Sequence, residues 1–317
     1  MNKIYLDNAA TTPITPEVFK EMKSFYTDYY GNPSSVYQTA QEAARAVDEA
    51  REKVASLIGA DSSEIIFTSG GTEADNHAIK GIAFAFMEKG KHIITSKIEH
   101  HAILHACKYL EKYLDFEITY LDVDEEGFID PSDVEKALRD DTILVSIMLA
   151  NNEIGTIEPI KKIGEIVKDR GVYFHTDAVQ AVGQIPVNVK QLDVDLLSLS
   201  AHKFNGPKGT GALYIRKGTK IAPLISGGTQ EQKSRAGTEN VPGIVGLGKA
   251  AELAALRLTE KKKKLCKLRD KLINGIENKI DEVVLNGPRG DKRLPNNVNF
   301  CFKYIEGESI LLNLDMA

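Results

Sequence analysis

Ile143-Leu144-Val145-Ser146-Ile147-Met148-Leu149 is apolar towards both sides of an extended chain, the mark of a strand buried in the middle of a sheet. Reading outward in both directions, short β-rich runs alternate with helical patterns. Before it come Ile65-Ile66-Phe67-Thr68 and a helix from Thr72, then His92-Ile93-Ile94-Thr95 and a helix from Ala102, then Phe116 to Leu121 and a helix from Pro131. After it come a helix from Pro159 and the runs Tyr173 to Asp177, Leu196 to Ser200 and Gly211 to Arg216. This alternation predicts an α/β fold with a mostly parallel sheet covered by helices on both faces.

The 317 residues are 42% hydrophobic and 27% charged, which is ordinary for a globular chain large enough for two units. A net charge of −5 argues against a nucleic-acid surface. The dense basic run Lys261 to Lys264 lies among Leu258, Leu265, Leu268 and Leu272 and reads as a solvated helix face. No stretch has the length of apolar residues a membrane span needs, and the amino terminus enters Ile4-Tyr5-Leu6-Asp7 without signal character, so a cytoplasmic protein is expected. Cys107, Cys266 and Cys301 are too few and too scattered for a disulfide framework or a metal site and read as structural.

After Val241-Pro242-Gly243 the pattern becomes one long helical region to about Ile280, interrupted beyond it by Asn286-Gly287-Pro288. Val283-Val284-Leu285 and Asn297 to Phe302 read as strands of a smaller unit, and Glu308 to Met316 as a helix.

Open α/β sheets bind ligands beyond the carboxyl ends of their strands, and several polar groups fall there. Thr68-Ser69-Gly70-Gly71-Thr72 ends a strand and opens a helix, so it is either a phosphate cradle or a plain capped entry. Glu99-His100-His101, Asn151-Asn152-Glu153-Ile154-Gly155 and His175-Thr176-Asp177-Ala178-Val179-Gln180 follow three other strands. Ser198-Leu199-Ser200-Ala201-His202-Lys203 puts a lysine at a strand end, where desolvation makes an amine nucleophilic towards an aldehyde; Lys208, past Pro207, reads as solvated. Pyridoxal phosphate would use all of these: a lysine for its aldehyde, a cradle for its phosphate, Asp177 for its ring nitrogen and a ring stacked on its own. Asp177 alone could equally be a helix cap.

Asp7-Asn8-Ala9-Ala10-Thr11-Thr12, Gly31-Asn32-Pro33-Ser34, Phe67 to Glu73, Ile98 to His101, Asn151 to Gly155, Ser198 to Gly209 and Arg235-Ala236-Gly237-Thr238 together resemble, from end to end, the cysteine desulfurases of iron-sulfur cluster assembly. These are class V aminotransferase-like proteins of fold type I. The resemblance implies a large domain with a seven-stranded, mostly parallel sheet over residues 16–255. A smaller α/β domain over 256–317 would be incomplete here, and residues 1–15 would pack with it. Residue by residue, Lys203 would hold the cofactor, Asp177 would meet its ring nitrogen, Gln180 its ring hydroxyl, and His100 would stack on the ring. Gly71, Thr72, Ser200 and His202 would cradle the phosphate, with Thr238 reaching it from the other subunit of a homodimer. Asn152 would lie near the ring and the substrate carboxylate, and His101 has no family role.

The implied reaction takes L-cysteine to L-alanine and passes sulfur as an enzyme persulfide to a scaffold or other acceptor protein. Lys203 and His100 are the catalytic candidates for moving the α-proton. In the family the sulfur-accepting cysteine lies in a loop beyond the segment matching Glu306 to Ala317, so the chain is expected to be truncated before it, and none of the three cysteines matches that position. Other readings are a selenocysteine lyase or small-amino-acid transaminase of the same class, or a catalytically silent cofactor-binding scaffold.

Overall fold

The computed structural model describes residues 4–316. Met1, Asn2 and Lys3 of the expected 1–15 segment and Ala317 of the expected 256–317 unit lie outside the described residues. The strands are β1 (Ile65–Thr68), β2 (His92–Ser96), β3 (Glu117–Leu121), β4 (Thr142–Ser146), β5 (Tyr173–Asp177), β6 (Leu196–Ser200), β7 (Gly211–Ile215), β8 (Val283–Leu285) and β9 (Phe300–Phe302). The helices are α1 (Pro16–Lys23), α2 (Gln38–Ile58), α3 (Gly71–Phe86), α4 (His101–Leu114), α5 (Pro131–Ala137), α6 (Ile160–Asp169), α7 (Val189–Leu192), α8 (Val241–Glu277) and α9 (Gly307–Met316).

Seven strands form one sheet in the order β1-β7-β6-β5-β4-β2-β3, as the α/β reading expects. Only β7 runs against its neighbours, pairing antiparallel with both β1 and β6. The doubly apolar run finds its reason here. Leu144 packs into a core with α3 and α4, whereas Val145 packs into the opposite core with α1, α2, α6 and α8. Leu196 and Leu197 divide in the same way. A central strand must satisfy both faces, so its alternation disappears.

The ladder of β4 ends at Ser146, three residues before the apolar run does. Its neighbour β2 stops at Ser96, so residues 147–149 keep a strand partner on the β5 side only, with Ile147 N–H bonded to His175 O and Leu149 N–H to Asp177 O, while Met148 N–H meets the Glu99 carboxylate on the other side. The ends of β2 and β4 mark the place where the sheet's connections turn in opposite directions, β2 leading to β3 on one side and β4 to β5 on the other.

Helix α8 is 37 residues long and continuous across positions 255 and 256. Its first half is largely buried, and in the lysine-rich part Lys263 and Lys264 are exposed while Lys261 and Lys262 are half-buried. Lys261 donates to Gly183 O at 3.1 Å and is partly buried, so the basic run is not wholly a solvated face. Its alkyl stem covers apolar surface while the amine reaches a carbonyl. Further on, buried Arg269 donates to the carbonyls of Arg293 (2.9 Å) and Leu294 (3.3 Å), and Leu294 N–H reaches Gly155 O at 2.8 Å. The carboxyl-terminal region is thereby tied to the loop after β4. Strands β8 and β9 pair with each other, and α9 buries none of its residues.

Where the sequence predicts residues 1–15 packing with the carboxyl-terminal unit, residues 9–15 hydrogen-bond to Gln180 and to the turn at 202–205. Thr12 N–H meets His202 O at 2.9 Å, Thr12 Oγ1 meets it at 2.7 Å, and Asn205 N–H donates to Thr12 Oγ1 at 2.8 Å.

Candidate active site

A cavity of about 440 Å³ lies at the carboxyl ends of β1, β4, β5 and β6 and beside the loop after β2, within the size range of small-molecule sites. Gly71, Thr72, His100, Asn152, Asp177, Gln180, Ser200, His202 and Lys203 all line it. Thr238 does not; it is exposed on the loop before α8. His101 also stays outside, its ring stacked on His105 at 5.2 Å.

Asp177 forms the floor. It ends β5, is 6% exposed, and its Oδ1 accepts Val179 N–H at 2.9 Å. Burial pushes its carboxyl up, while that N–H, His100 and Lys203 hold it down. Beneath it, His175 is wedged between Ser146 Oγ (2.9 Å to Nδ1) and Ser198 Oγ (3.0 Å to Nε2), and burial keeps the ring neutral down to about pH 3.

Sequence reasoning missed Asp75. It stands one helical turn after Gly71, so the i, i+4 relation puts both on the same face of α3, turned to the cavity. Its Oδ1 has no hydrogen-bond partner and lies 3.8 Å from His175 Nε2. Burial first and the Asp177 charge second push its carboxyl well above the ordinary range. Asp177 has cationic Lys203 nearby, so of the two it is Asp75 that keeps the proton. Glu99 was missed as well. Its buried Oε1 accepts from Ser96 Oγ at 2.7 Å and Met148 N–H at 3.0 Å, pinning the end of β2 to the chain after β4; burial lifts it to about 8. The signal available for both was a carboxylate directly after an apolar residue, Ala74 before Asp75 and Ile98 before Glu99, near a helix start or a strand end.

Lys203 follows β6 in a short 3-10 turn. Its Nζ donates to the carbonyls of Ala9 and Ala10, the latter at 3.0 Å, and Gln180 Nε2 donates to Ala9 O at 3.0 Å. The Asp7–Thr12 motif is therefore cavity wall. Burial lowers the Lys203 amine below the ordinary lysine value, against the pull of Asp177, Asp7 and Glu153. His202 Nδ1 meets Thr11 Oγ1 at 3.1 Å, and burial, Lys203 and Lys208 bring its ring down to about 4. His100 caps α4, its Nδ1 accepting Ala102 N–H at 3.1 Å, so the neutral ring carries its proton on Nε2. Asn152 Nδ2 donates to Glu153 Oε1 at 2.7 Å.

The cradle is built by close backbone approach. A Cβ on Gly71 would stand 2.7 Å from Val179 Cγ2, and no side chain caps the start of α3. Gly211 of β7 backs it: a Cβ there would meet Leu199 O at 2.7 Å and the Gly70 backbone at 2.8 Å, neither of which can yield. Gly211→Ala is thus expected to cost roughly 1–3 kcal/mol of stability and to weaken cofactor binding. Thermal melting with a cofactor titration checks this, and an unshifted melting curve would contradict it.

These residues fit pyridoxal phosphate. A depressed amine suits an aldehyde, an uncapped helix start suits a phosphate, and a buried aspartate suits a protonated ring nitrogen. Among the described residues no group of three or more His, Cys, Asp or Glu side chains could hold a metal ion, and no helix is long and apolar enough to cross a membrane. No cysteine lines the cavity. Cys107 is buried with its thiol pushed far up by burial, Cys266 is partly buried, and Cys301 is exposed.

Residues 4–317 match the aminotransferase class-V family. The chain is 64% identical over 314 residues to the cysteine desulfurase IscS of Dictyoglomus turgidum, covering 99% of this chain and 79% of that one. Identity to the cysteine desulfurase IscS of Methanosarcina thermophila is 60%, over 98% of this chain and 76% of the relative. Among solved structures, a NifS-like protein superimposes with a TM-score of 0.95 at 44% identity, covering 99% of this chain and 86% of that one. SspA in complex with cysteine superimposes at 0.87 and 38% identity, covering 99% and 87%.

Proposed function

The chain belongs to the class-V aminotransferase family, in its cysteine desulfurase branch, and from that premise we propose that it takes sulfur from L-cysteine using pyridoxal 5′-phosphate. The observation that carries the reading is one cavity in which Lys203, its amine depressed by burial, and the buried carboxylate of Asp177 lie with the Gly71 cradle. When bound, the cofactor supplies an aldehyde carbon that condenses with amines and a ring that accepts the electron pair released at the substrate α-carbon.

The chain's own residues do the rest. Lys203 Nζ would hold the cofactor and, as a free amine, would carry the substrate α-proton, a task that suits a lowered pKa. His100 would pack against the ring and offer Nε2–H, and Asp177 would hold its negative charge for the ring nitrogen. Gln180 would meet the ring hydroxyl; Gly71, Thr72, Ser200 and His202 would cradle the phosphate; Asn152 would serve the substrate side.

In the overall reaction L-cysteine and an acceptor thiol give L-alanine and a persulfide. The substrate C–S bond breaks, an S–S bond forms, and a proton is delivered to the β-carbon. We read the protein as a cytoplasmic homodimer in which Thr238 reaches the partner's phosphate and an iron-sulfur scaffold or another protein takes the sulfur. We read residues 16–255 as the large unit and 256–317 as the small one.

Following L-alanine and persulfide from L-cysteine tests the reaction. One alanine per sulfur transferred supports it; transamination of cysteine, or exclusive use of selenocysteine, would overturn it. Because no cysteine lines the cavity, replacing Cys266 and Cys301 together by serine is expected to leave alanine formation within about twofold of the parent, surface changes of this kind being mild. A tenfold loss in that double variant would place one of them in the sulfur path.

A further inference from the structure

Glu231, Gln232 and Lys233 have φ angles of 43°, 56° and 68°, three successive non-glycine residues in the left-handed region. Such a turn persists only where its surroundings hold it. The holders are specific. The buried Glu231 carboxylate forms a two-point pair with Arg51 at 2.7 and 2.9 Å and accepts Phe67 N–H at 2.8 Å. Arg51 also donates to Ile65 O at 2.7 Å and lies over the Phe67 ring, its guanidinium carbon 4.6 Å from the centroid.

Four residues along, Arg235 forms a second two-point pair with Glu73, at 2.8 and 3.2 Å. Glu73 Oε2 in turn accepts Ser69 N–H at 2.9 Å, at the corner where β1 passes through Gly70 and Gly71 into α3. The loop before α8 is thus held twice, to α2 and β1 through Glu231 and to the corner of its own chain's phosphate cradle through Arg235. Beyond Arg235, Gly237 turns with φ 113° and its N–H meets Gln230 Oε1 at 3.1 Å. The next residue, Thr238, is exposed and lines none of its own chain's cavity.

A loop fixed to one cradle while presenting its threonine outward has a definite use in a dimer. We propose that Arg235, through its pair with Glu73, is a positioning residue for the partner subunit's cofactor site: it aims Thr238 at the partner's phosphate while anchored to its own cradle. This rests on the homodimer reading and on Thr238 acting across the interface. One corner of each subunit would then shape two sites, its own directly and its partner's through the loop.

Mixed dimers separate the possibilities. A subunit carrying Lys203→Ala lacks the lysine-linked cofactor absorbance, so in a dimer of that subunit with one retaining Lys203 the visible band reports a single known site. Placing Thr238→Ala in the Lys203→Ala subunit tests the homodimer reading; if cofactor loss from the reporting site is unchanged, Thr238 does not act across the interface and that reading fails. Placing Arg235→Gln there tests the inference. Cofactor loss from the reporting site is expected to quicken about tenfold, the effect of removing one charged hydrogen bond. The same change in the reporting subunit is expected to alter it less than twofold.

The reverse pattern, or equal effects from both positions, would mean that the pair serves its own cradle and would sink the proposal. Combining Arg235→Gln with Thr238→Ala in one subunit should be no worse than Thr238→Ala alone, because one acts through the other. Full additivity would count against it. Arg235→Lys, which keeps one of the two contacts, is expected to recover part of the loss and guards against a general folding defect.

Discussion

Replacing Lys203 by alanine is expected to remove the visible absorbance of lysine-linked cofactor and to cut alanine formation from L-cysteine by about a thousandfold or more. The size follows from two roles falling on one atom. Among the described residues Nζ is the only side-chain amine lining the cavity, so no other described side chain there can condense with the aldehyde. It is also the group best placed to carry the substrate α-proton, because burial has brought it towards its uncharged form against the opposing pull of Asp177, Asp7 and Glu153. Cofactor binding should weaken without vanishing, since the cradle and Asp177 remain. Lys203→Arg keeps a cation but cannot replace the amine, and it should be as inactive as the alanine variant. An alanine variant within tenfold of the parent in turnover would show that the anchor lies elsewhere.

The second large effect is expected from Asp177→Asn, which keeps shape and removes charge. Breaking one side of a buried, hydrogen-bonded charge pair costs about 3–5 kcal/mol, or roughly two to four orders of magnitude in rate if the pair is made with the ring nitrogen during reaction. Asp75→Asn should cost at least about tenfold less, because an amide is close to the protonated acid that Asp75 already is beside charged Asp177. Steady-state rates with the absorbance of the bound cofactor read both variants. If Asp75→Asn proved the more damaging, the charge would sit on Asp75 and the floor would have to be redrawn.

Much of this was legible in the residues. The strands fell where apolar runs were bounded by turn residues, because a parallel sheet covered on both faces leaves its strands little choice of composition. Nine of the ten residues expected at the cofactor line one cavity. What was not legible depends on distant packing. That β4 stops pairing at Ser146 is decided by the length of β2, fifty residues earlier in the chain. That Lys261 leaves its solvated run depends on where Gly183 turns. Asp75 and Glu99 looked like ordinary helix-start and loop carboxylates until the sheet enclosed them. Residues 9 and 10 act through their carbonyls, which carry no side-chain signature at all.

The link from α8 to the cavity has a consequence for how the molecule comes apart. Arg269 holds the carbonyls at 293 and 294, and Leu294 holds Gly155, three residues from Asn152. Since the first half of α8 is embedded in the main core, its second half cannot fray without releasing that chain of bonds. The carboxyl-terminal region is therefore coupled to the wall of the substrate side. Heat or denaturant that loosens residues 269–294 is expected to disarm the site before the central strands open.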